Sequence, residues 1–279
     1  MNNDRIQEIL DLMEEARLDY FLISDPQSIA YCTGYYNDPH ERMFVFMISK
    51  HGNHTLFMND LFYLDHDLDV NIVWHKDGQD AIQTIVDEMH FPGRIGIDKN
   101  WASHFLLDLM KKLPDAKYIN ASPCVDLVRM KKDLQEQVLM IESSKINDAV
   151  MEEIIPFIQE GVTEKQLAKK LDELFFKHHS TCYGAIVAFG KNAADPHHEN
   201  DDTLLRKGDC VLIDMGCVYK GYCSDMTRTF FYEGILEEEI KVYEIVKKAN
   251  EAAEAMIKPG VKLSDIDKCA RKVISDEGY

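Results

Sequence analysis

Two aspartates lie where a buried strand would normally carry only apolar side chains. Asp214 and Asp225 belong to the segment VLIDMGCVYKGYCSDMTRTFF, residues 211–231, in which two apolar runs flank a short polar turn. If the turn centres on Tyr219–Lys220, the two aspartates are directly opposed across an antiparallel hairpin and share one face, with Cβ atoms about 5 Å apart. Two carboxylates at that separation repel each other, so the pair requires a shared proton, a basic partner or an oxygen-ligated divalent cation.

Two other interpretations of this pair stay open at the level of sequence. A slip of the register by one residue would send the two carboxylates to opposite faces of the sheet. Alternatively, one aspartate is an ordinary turn residue and the other forms an ion pair with Arg228. The spacing favours a cation site but does not decide between these cases.

A second group of reactive side chains lies in AFGKNAADPHHEN, residues 188–200. A strand pattern ends there in Gly-Lys-Asn, and the loop that follows presents Pro196, His197 and His198. Histidines on a loop at the end of a strand suit metal ligation, proton transfer or stabilisation of an oxyanion. The alternative is that they are exposed loop histidines without a chemical role.

Charge and cysteine usage limit the classes of partner. The formal net charge of −18, from 31 basic and 49 acidic side chains, disfavours nucleic acid and membrane surfaces as partners. The seven cysteines form no C-x-x-C pair, which indicates free thiols, with zinc at Cys217 and Cys223 as the weaker alternative. No apolar run reaches the ~18 residues needed to span a bilayer, and the start MNNDRIQEIL has no signal-peptide core. We therefore expect a cytoplasmic protein.

The first part of the chain, residues 1–128, alternates strand and helix patterns. Short apolar runs from DYFLIS to KYINAS read as strands, and the segments between several of them have apolar residues at helical spacing. The segment KHGN, residues 50–53, is typical of a hairpin turn between the second and third strands. These patterns predict an α/β domain on a mixed sheet.

Residues 129–279 contain an internal repeat, which predicts a duplicated domain. The segment FIQEGVTEKQLAKKLDELFFKHH is similar to MIKPGVKLSDIDKCARKVISDEGY, with Gly161 aligned to Gly260. Each copy has the pattern of a helix, a glycine stop and a new helix, the first capped at Thr163 and the second at Ser264. Strands follow the first copy, whereas the second copy ends with the chain, so we expect a C-terminal portion of the domain to be missing.

These segments together resemble the creatinase/aminopeptidase P/prolidase metallopeptidases, an M24-type family. The resemblance is carried by GKNAADPHH, by LLRKGDCVLIDMGCVYKGYCSDMTRTF and by SIAYCTGY in the first domain, and it covers essentially the whole chain. It implies a creatinase-like α/β domain over residues 1–128. It also implies an α+β pita-bread domain, a pseudo-twofold duplication, over residues 129–279, with the second half truncated.

The resemblance also implies roles for individual residues. Asp214 would chelate one of two divalent metal ions and Asp225 would bridge both, with Thr227 supporting the metal shell. His197 would stabilise the tetrahedral intermediate or carry a proton. The family usually uses manganese or cobalt, with zinc as an alternative, and its substrates are peptides with proline in the second position. A homodimer is a further expectation from the family.

One departure from the family pattern matters for activity. The family takes three further ligands, a histidine and two glutamates, from segments without a match here, so only Asp214 and Asp225 can be carried over. We expect the full-length protein to hydrolyse Xaa-Pro bonds, as a dipeptidase or an aminopeptidase, and the 279-residue chain alone to be inactive. Two alternatives stay open: a metal-free hydrolase of the creatinase type, and a non-catalytic binding module on the same fold.

Overall fold

The chain folds into two compact units. The computed structural model describes residues 1–90 and 92–279, and the units are Met1–Lys132 and Asp133–Tyr279. The sequence predicted a division after residue 128; Asp133 caps the helix that opens the second unit, so the observed division falls slightly later. Among the described residues, no helix combines the length and the apolar character that crossing a membrane requires.

The first unit is an α/β fold around one mixed sheet. Its strands are β1 (Tyr20–Ile23), β2 (Val45–Ser49), β3 (Thr55–Asn59), β4 (Asn71–His75), β5 (Arg94–Ile97) and β6 (Lys117–Asn120). Its helices are α1 (Asn3–Glu15), α2 (Pro26–Thr33), α3 (Ala81–Asp87), α4 (Ser103–Lys112) and α5 (Ser122–Met130). The strand order is β4-β3-β2-β1-β5-β6, antiparallel at β1–β2 and β2–β3 and parallel elsewhere. The predicted mixed sheet is confirmed.

Helices cover both faces of this sheet, which explains why its central strands are buried along their whole length. Phe21 lies in one apolar cluster together with Ile9 of α1 and Val125 of α5. Tyr20, the preceding residue, lies in a second cluster together with Ile85 of α3. Because successive side chains of a strand point to opposite faces, the first unit has one core on each side of the sheet.

The second unit is an α+β fold in which helices pack on an antiparallel sheet. Its strands are β7 (Thr181–Cys182), β8 (Ile186–Phe189), β9 (Cys210–Tyr219) and β10 (Tyr222–Phe231). Its helices are α6 (Leu134–Ile154), α7 (Glu164–Lys177), α8 (Glu237–Met256) and α9 (Leu263–Asp276). β9 pairs with β10 along one edge and with both β7 and β8 along the other. Apolar residues of α6 and α7 form the core together with one face of β9.

The pattern of helix, glycine and helix occurs twice in the second unit, as the repeat predicted. Gly161 and Gly260 have φ of 85° and 88°, in the left-handed region that ends a helical turn without steric cost for glycine. Thr163 and Gln166 form the predicted capping box of α7. The predicted cap at Ser264 is wrong, because α9 begins one residue earlier and leaves this serine inside the first turn without a capping bond.

Candidate metal centre

A tight turn joins β9 to β10. Its two residues, Lys220 and Gly221, have φ of 48° and 85°. Positive φ at both central positions defines a type I′ turn, whose twist matches that of the flanking strands. Tyr219 therefore pairs with Tyr222, and the turn centres one residue later than the sequence analysis assumed.

This turn sets the positions of the two aspartates. Asp214 lies opposite Thr227, and Asp225 lies opposite Gly216, so the predicted direct pairing of the aspartates is wrong by two residues. Because side chains alternate with a period of two, a shift of two residues keeps all four positions on one face. The aspartates are diagonal neighbours on the two paired strands, and the backbones of residues placed in this way are about 7–8 Å apart. The one-residue slip that would have separated them does not occur.

The opposite face of β9 is turned into the core of the second unit. Val211, Ile213, Met215 and Cys217 are buried there at alternate positions. Asp225, by contrast, is exposed. The hairpin therefore has an apolar inner face and an acidic outer face, which we define by Asp214, Gly216, Asp225 and Thr227.

The carboxylates of the acidic face have no cationic partner among the residues that the structure describes. Thr227 Oγ1 donates a hydrogen bond of 2.6 Å to Oδ1 of Asp214. Arg228, the candidate ion-pair partner, instead donates Nη1 to the backbone carbonyl of Thr227 at 2.8 Å. Within the part of the chain that the structure describes, no Lys, Arg or His nitrogen lies within 4.0 Å of an oxygen of Asp214 or Asp225. The negative charge of the pair is not neutralised by the second unit's own side chains.

Tyr183 joins the acidic face although the sequence analysis did not single it out. It follows β7, donates its backbone N–H to the carbonyl of Gly216 at 3.4 Å, and donates its hydroxyl to the carbonyl of Ser224 at 2.7 Å. Burial raises the pKa of Tyr183, and the charges of Asp225 and Asp214 raise it further. The phenol is therefore neutral and lies within electrostatic range of both carboxylates. The sequence signal for it is Gly216, since a glycine inside a strand marks a close approach.

The loop after β8 carries His197, whose ring is exposed. The backbone N–H of His197 donates to Oδ1 of Asp195 at 3.1 Å, which shapes the turn. The loop then returns to its strand: Asn200 accepts a hydrogen bond from Val187 N–H and donates one to the carbonyl of Ala185, both at 2.7 Å. The strand residue between these two, Ile186, is the register partner of Asp214. The end of the loop is thus tied to the strand position beside that aspartate.

A second acidic group lies behind this loop. Ligand atoms of Glu164, His198 and Asp201 are all within 4.8 Å of one another. His198 Nε2 lies 2.6 Å from Oε2 of Glu164, a carboxylate that is fully buried. The loop sequence points to His198, whereas nothing local points to Glu164, because a glutamate in the first turn of a helix has the usual appearance of a residue that favours the helix N-terminus.

Models of two protein families match this chain, one for each unit. The Creatinase/Prolidase N-terminal domain matches residues 5–131, and Metallopeptidase family M24 matches residues 138–279. The chain belongs to metallopeptidase family M24. Its two units are a creatinase-type N-terminal domain and an M24 pita-bread domain, which confirms the fold that the sequence predicted.

Relatives and solved structures agree with this assignment. An uncharacterized peptidase of Staphylococcus aureus (strain bovine RF122 / ET3-1) is 30% identical over 284 residues, covering 99% of this chain and 79% of that protein. A dipeptidase from Pyrococcus horikoshii OT3 is 33% identical with a TM-score of 0.89, covering 99% of this chain and 78% of that one. A prolidase from Thermococcus sibiricus is 28% identical with a TM-score of 0.91, covering 100% of this chain and 78% of that one. The chain is accordingly an enzyme of the M24 peptidase family.

The acidic face of the M24 domain suits a divalent cation by its donor chemistry. Carboxylate oxygens are ligands that Mn²⁺ and similar hard ions prefer, and a cation relieves the repulsion between Asp214 and Asp225. The group around Glu164 suits an ion less well, because both of its carboxylate oxygens already accept hydrogen bonds. Between these two places, the hairpin fits the metal of a metallopeptidase better.

The cysteine alternative does not fit the M24 hairpin. Cys217 is buried on the inner face, where it contacts Ser143 and Ser224. Cys223 is exposed and pairs with Val218, a position on the other face of the strand. The two thiols point to opposite sides of the hairpin, so they cannot converge on one zinc ion.

Proposed function

We propose that this protein is a metal-dependent Xaa-Pro peptidase, with Asp214 and Asp225 as ligands of divalent metal ions. The observation that carries the proposal is the pair of carboxylates on one face of the hairpin without a cationic partner among the described residues. A stable protein rarely leaves two like charges together unless something neutralises them. In a chain of a metallopeptidase family, a metal ion is the natural candidate.

Four residues have distinct tasks in this proposal. Asp214 and Asp225 hold the metal through oxygen atoms, and Thr227 fixes the orientation of the Asp214 carboxylate by its hydrogen bond. A bound divalent ion of this kind supplies an activated water and polarises a carbonyl oxygen. His197 donates a hydrogen bond or a proton to the substrate oxygen that becomes negatively charged. Manganese or cobalt suits the oxygen ligands best.

The proposed substrate is a peptide whose second residue is proline. The bond before proline has no N–H and resists ordinary peptidases, so its cleavage needs a dedicated site. The names of two similar structures, a dipeptidase and a prolidase, favour the dipeptide over a longer peptide.

The metal part of the proposal is tested by binding of Mn²⁺, measured by calorimetry. Asp225→Asn removes the ligand charge from the acidic face with little change in shape, so we expect the affinity to fall about tenfold or more, equivalent to ~1.4 kcal/mol. Asp202→Asn is the matched control, since Asp202 is an exposed aspartate whose partner is Lys165. Equal affinities in the wild type and Asp225→Asn would remove Asp225 from the metal site.

The catalytic part is tested on an Xaa-Pro dipeptide and on a longer Xaa-Pro peptide, with Mn²⁺ added. Both the 279-residue chain and the complete product of its gene are assayed. Cleavage of the dipeptide alone identifies a dipeptidase, and cleavage of the longer peptide identifies an aminopeptidase. Mn²⁺ binding without cleavage by either protein defeats the peptidase proposal and favours the binding module.

A further inference from the structure

The carboxylate of Glu164 accepts hydrogen bonds from four donors. Its Oε1 accepts hydrogen bonds from the backbone N–H of Phe189 at 2.8 Å and from Nδ2 of Asn192 at 2.9 Å. Its Oε2 accepts from Nε2 of His198 at 2.6 Å and from the backbone N–H of Asp201 at 3.1 Å. Four donors occupy the usual acceptor positions of one carboxylate.

These four hydrogen bonds replace the hydrogen bonds to water that the carboxylate loses when it is buried. The side chain of Glu164 is fully buried, and no Lys or Arg pairs with it in the described ranges 1–90 and 92–279. A buried carboxylate is tolerated only when hydrogen bonds satisfy it. Its place at the first position of α7 helps, because the N-terminal end of a helix favours negative charge.

The four donors come from both ends of one segment. Phe189 is the last residue of β8, and Asn192 lies in the 3₁₀ turn that follows it. His198 and Asp201 lie at the far end, where the chain returns. A single carboxylate therefore closes the loop 189–201.

The carboxylate itself is held rigidly. α7 is anchored in the core by Leu167, Leu171 and Phe175, which are completely buried. The backbone of its N-terminal end is fixed by the capping box at Thr163. Because this acceptor is rigid, the loop that it binds is held in a fixed position relative to the core.

We infer that Glu164 is a positioning residue, which acts through His198 and the loop backbone to fix the location of His197. The effect of Glu164 on catalysis rests on the proposed peptidase function. Its effect on the order of the loop is independent of that function. His197 is adjacent to the bonded His198, so loss of this order would let the His197 side chain adopt many positions. Catalysis falls steeply when a proton donor is misplaced by even an ångström.

The first test replaces Glu164 by Gln. Glu164→Gln keeps the size of the side chain, but an amide has one acceptor oxygen instead of two, so the backbone N–H of either Phe189 or Asp201 loses its acceptor. We expect amide hydrogen exchange of Phe189 or Asp201 to accelerate and the NMR signals of the His197 ring to broaden or multiply. On the Xaa-Pro substrate, kcat should fall by about 10–100-fold with a much smaller change in KM. Affinity for Mn²⁺ should not change, because Asp214 and Asp225 are untouched.

Three further variants separate positioning from general damage. Glu173→Gln, on the exposed side of the same helix and paired with Lys170, should behave as the wild type. His198→Gln retains a donor for Glu164 and should preserve most of the order of the loop, whereas His198→Ala should lose it. If Glu164→Gln does not fold, the comparison of these two His198 variants decides the inference.

The results that would overturn this inference differ from the results that would overturn the proposed function. If the wild type cleaves no Xaa-Pro peptide, the peptidase proposal fails, and the exchange and His197 signals alone decide the inference. Unchanged exchange and unchanged His197 signals in Glu164→Gln overturn it. Loss of Mn²⁺ binding in Glu164→Gln also overturns it, because Glu164 would then be a metal ligand and not a positioning residue.

Discussion

Gly216 is a glycine because another side chain crosses the strand at that point. A Cβ atom there would lie 2.2 Å from the hydroxyl oxygen of Tyr183 and 2.3 Å from the carbonyl oxygen of Ser224. Neither atom can withdraw easily, since the hydroxyl donates to that carbonyl and the carbonyl is backbone. The missing side chain is what allows the phenol to lie across the acidic face.

Gly216→Ala should therefore destabilise the protein. We expect the free energy of unfolding to fall by about 1–3 kcal/mol, because the new methyl group forces the ring or the strand aside. Gly234→Ala is the matched control: its Cβ would meet its nearest neighbour, Cα of Gly208, at an ordinary 3.5 Å. Urea denaturation of both variants checks the prediction, and equal midpoints would contradict it.

Individual residues differ in how well the sequence predicts their place. That Asp214 and Asp225 share a face follows from the two-residue period of strands, a local property that holds whenever the register shifts by an even number. The places of Tyr183 and Glu164 depend on partners far away in the chain. The hydroxyl of Tyr183 bonds a residue 41 positions later, and Glu164 bonds Asp201, 37 positions later. No local pattern contains that information.

At the scale of elements, the hairpin depends on one unfavourable residue. Lys220 adopts φ of 48°, a left-handed conformation that costs a residue with an ordinary side chain roughly 1–2 kcal/mol. The next residue, Gly221, adopts φ of 85° at no such cost. The turn position is thus set by the glycine, and the strain is stored at the lysine beside it.

Lys220→Asn should stabilise the second unit. Asparagine tolerates the left-handed region and Asn-Gly is the preferred pair in type I′ turns, so we expect a gain of about 0.5–1 kcal/mol in the free energy of unfolding. Gly221→Ala should lose about 1 kcal/mol for the converse reason. Thermal unfolding of the two variants beside the wild type measures both effects. A shift of the two midpoints in the same direction would contradict the assigned turn.

The elements themselves were largely predictable, but their pairing was not. The periodicity of apolar residues predicts the six strands of the first unit and its helices α1, α3 and α4, with ends within about two residues, the usual uncertainty for helix ends. It does not predict the shorter helices α2 and α5. The hairpin register was missed because the segment YKGY offers two turn positions, and only backbone dihedral angles decide between them. The cap at Ser264 failed for a similar reason: the helix starts one residue before the residue type best suited to begin it.

At the scale of the whole molecule, each unit has a core of its own. The two apolar clusters on either side of the first sheet are built entirely from residues before 129. The cluster of the second unit is built from residues between 146 and 232. Apolar burial within a unit is the main source of folding free energy, so each should fold without support from the other.

Residues 1–132, expressed alone, should unfold in a single cooperative transition. The fragment retains all six strands of its sheet and both clusters, including Val125 and Val128 of α5, which pack in the same cluster as α1. The control is the fragment 1–112, which lacks β6 and α5. It leaves an edge of β5 unpaired and one core partly open, so we expect no cooperative transition. Circular dichroism during urea titration measures both. A gradual, non-cooperative transition in residues 1–132 would mean that the first unit depends on the second for its stability.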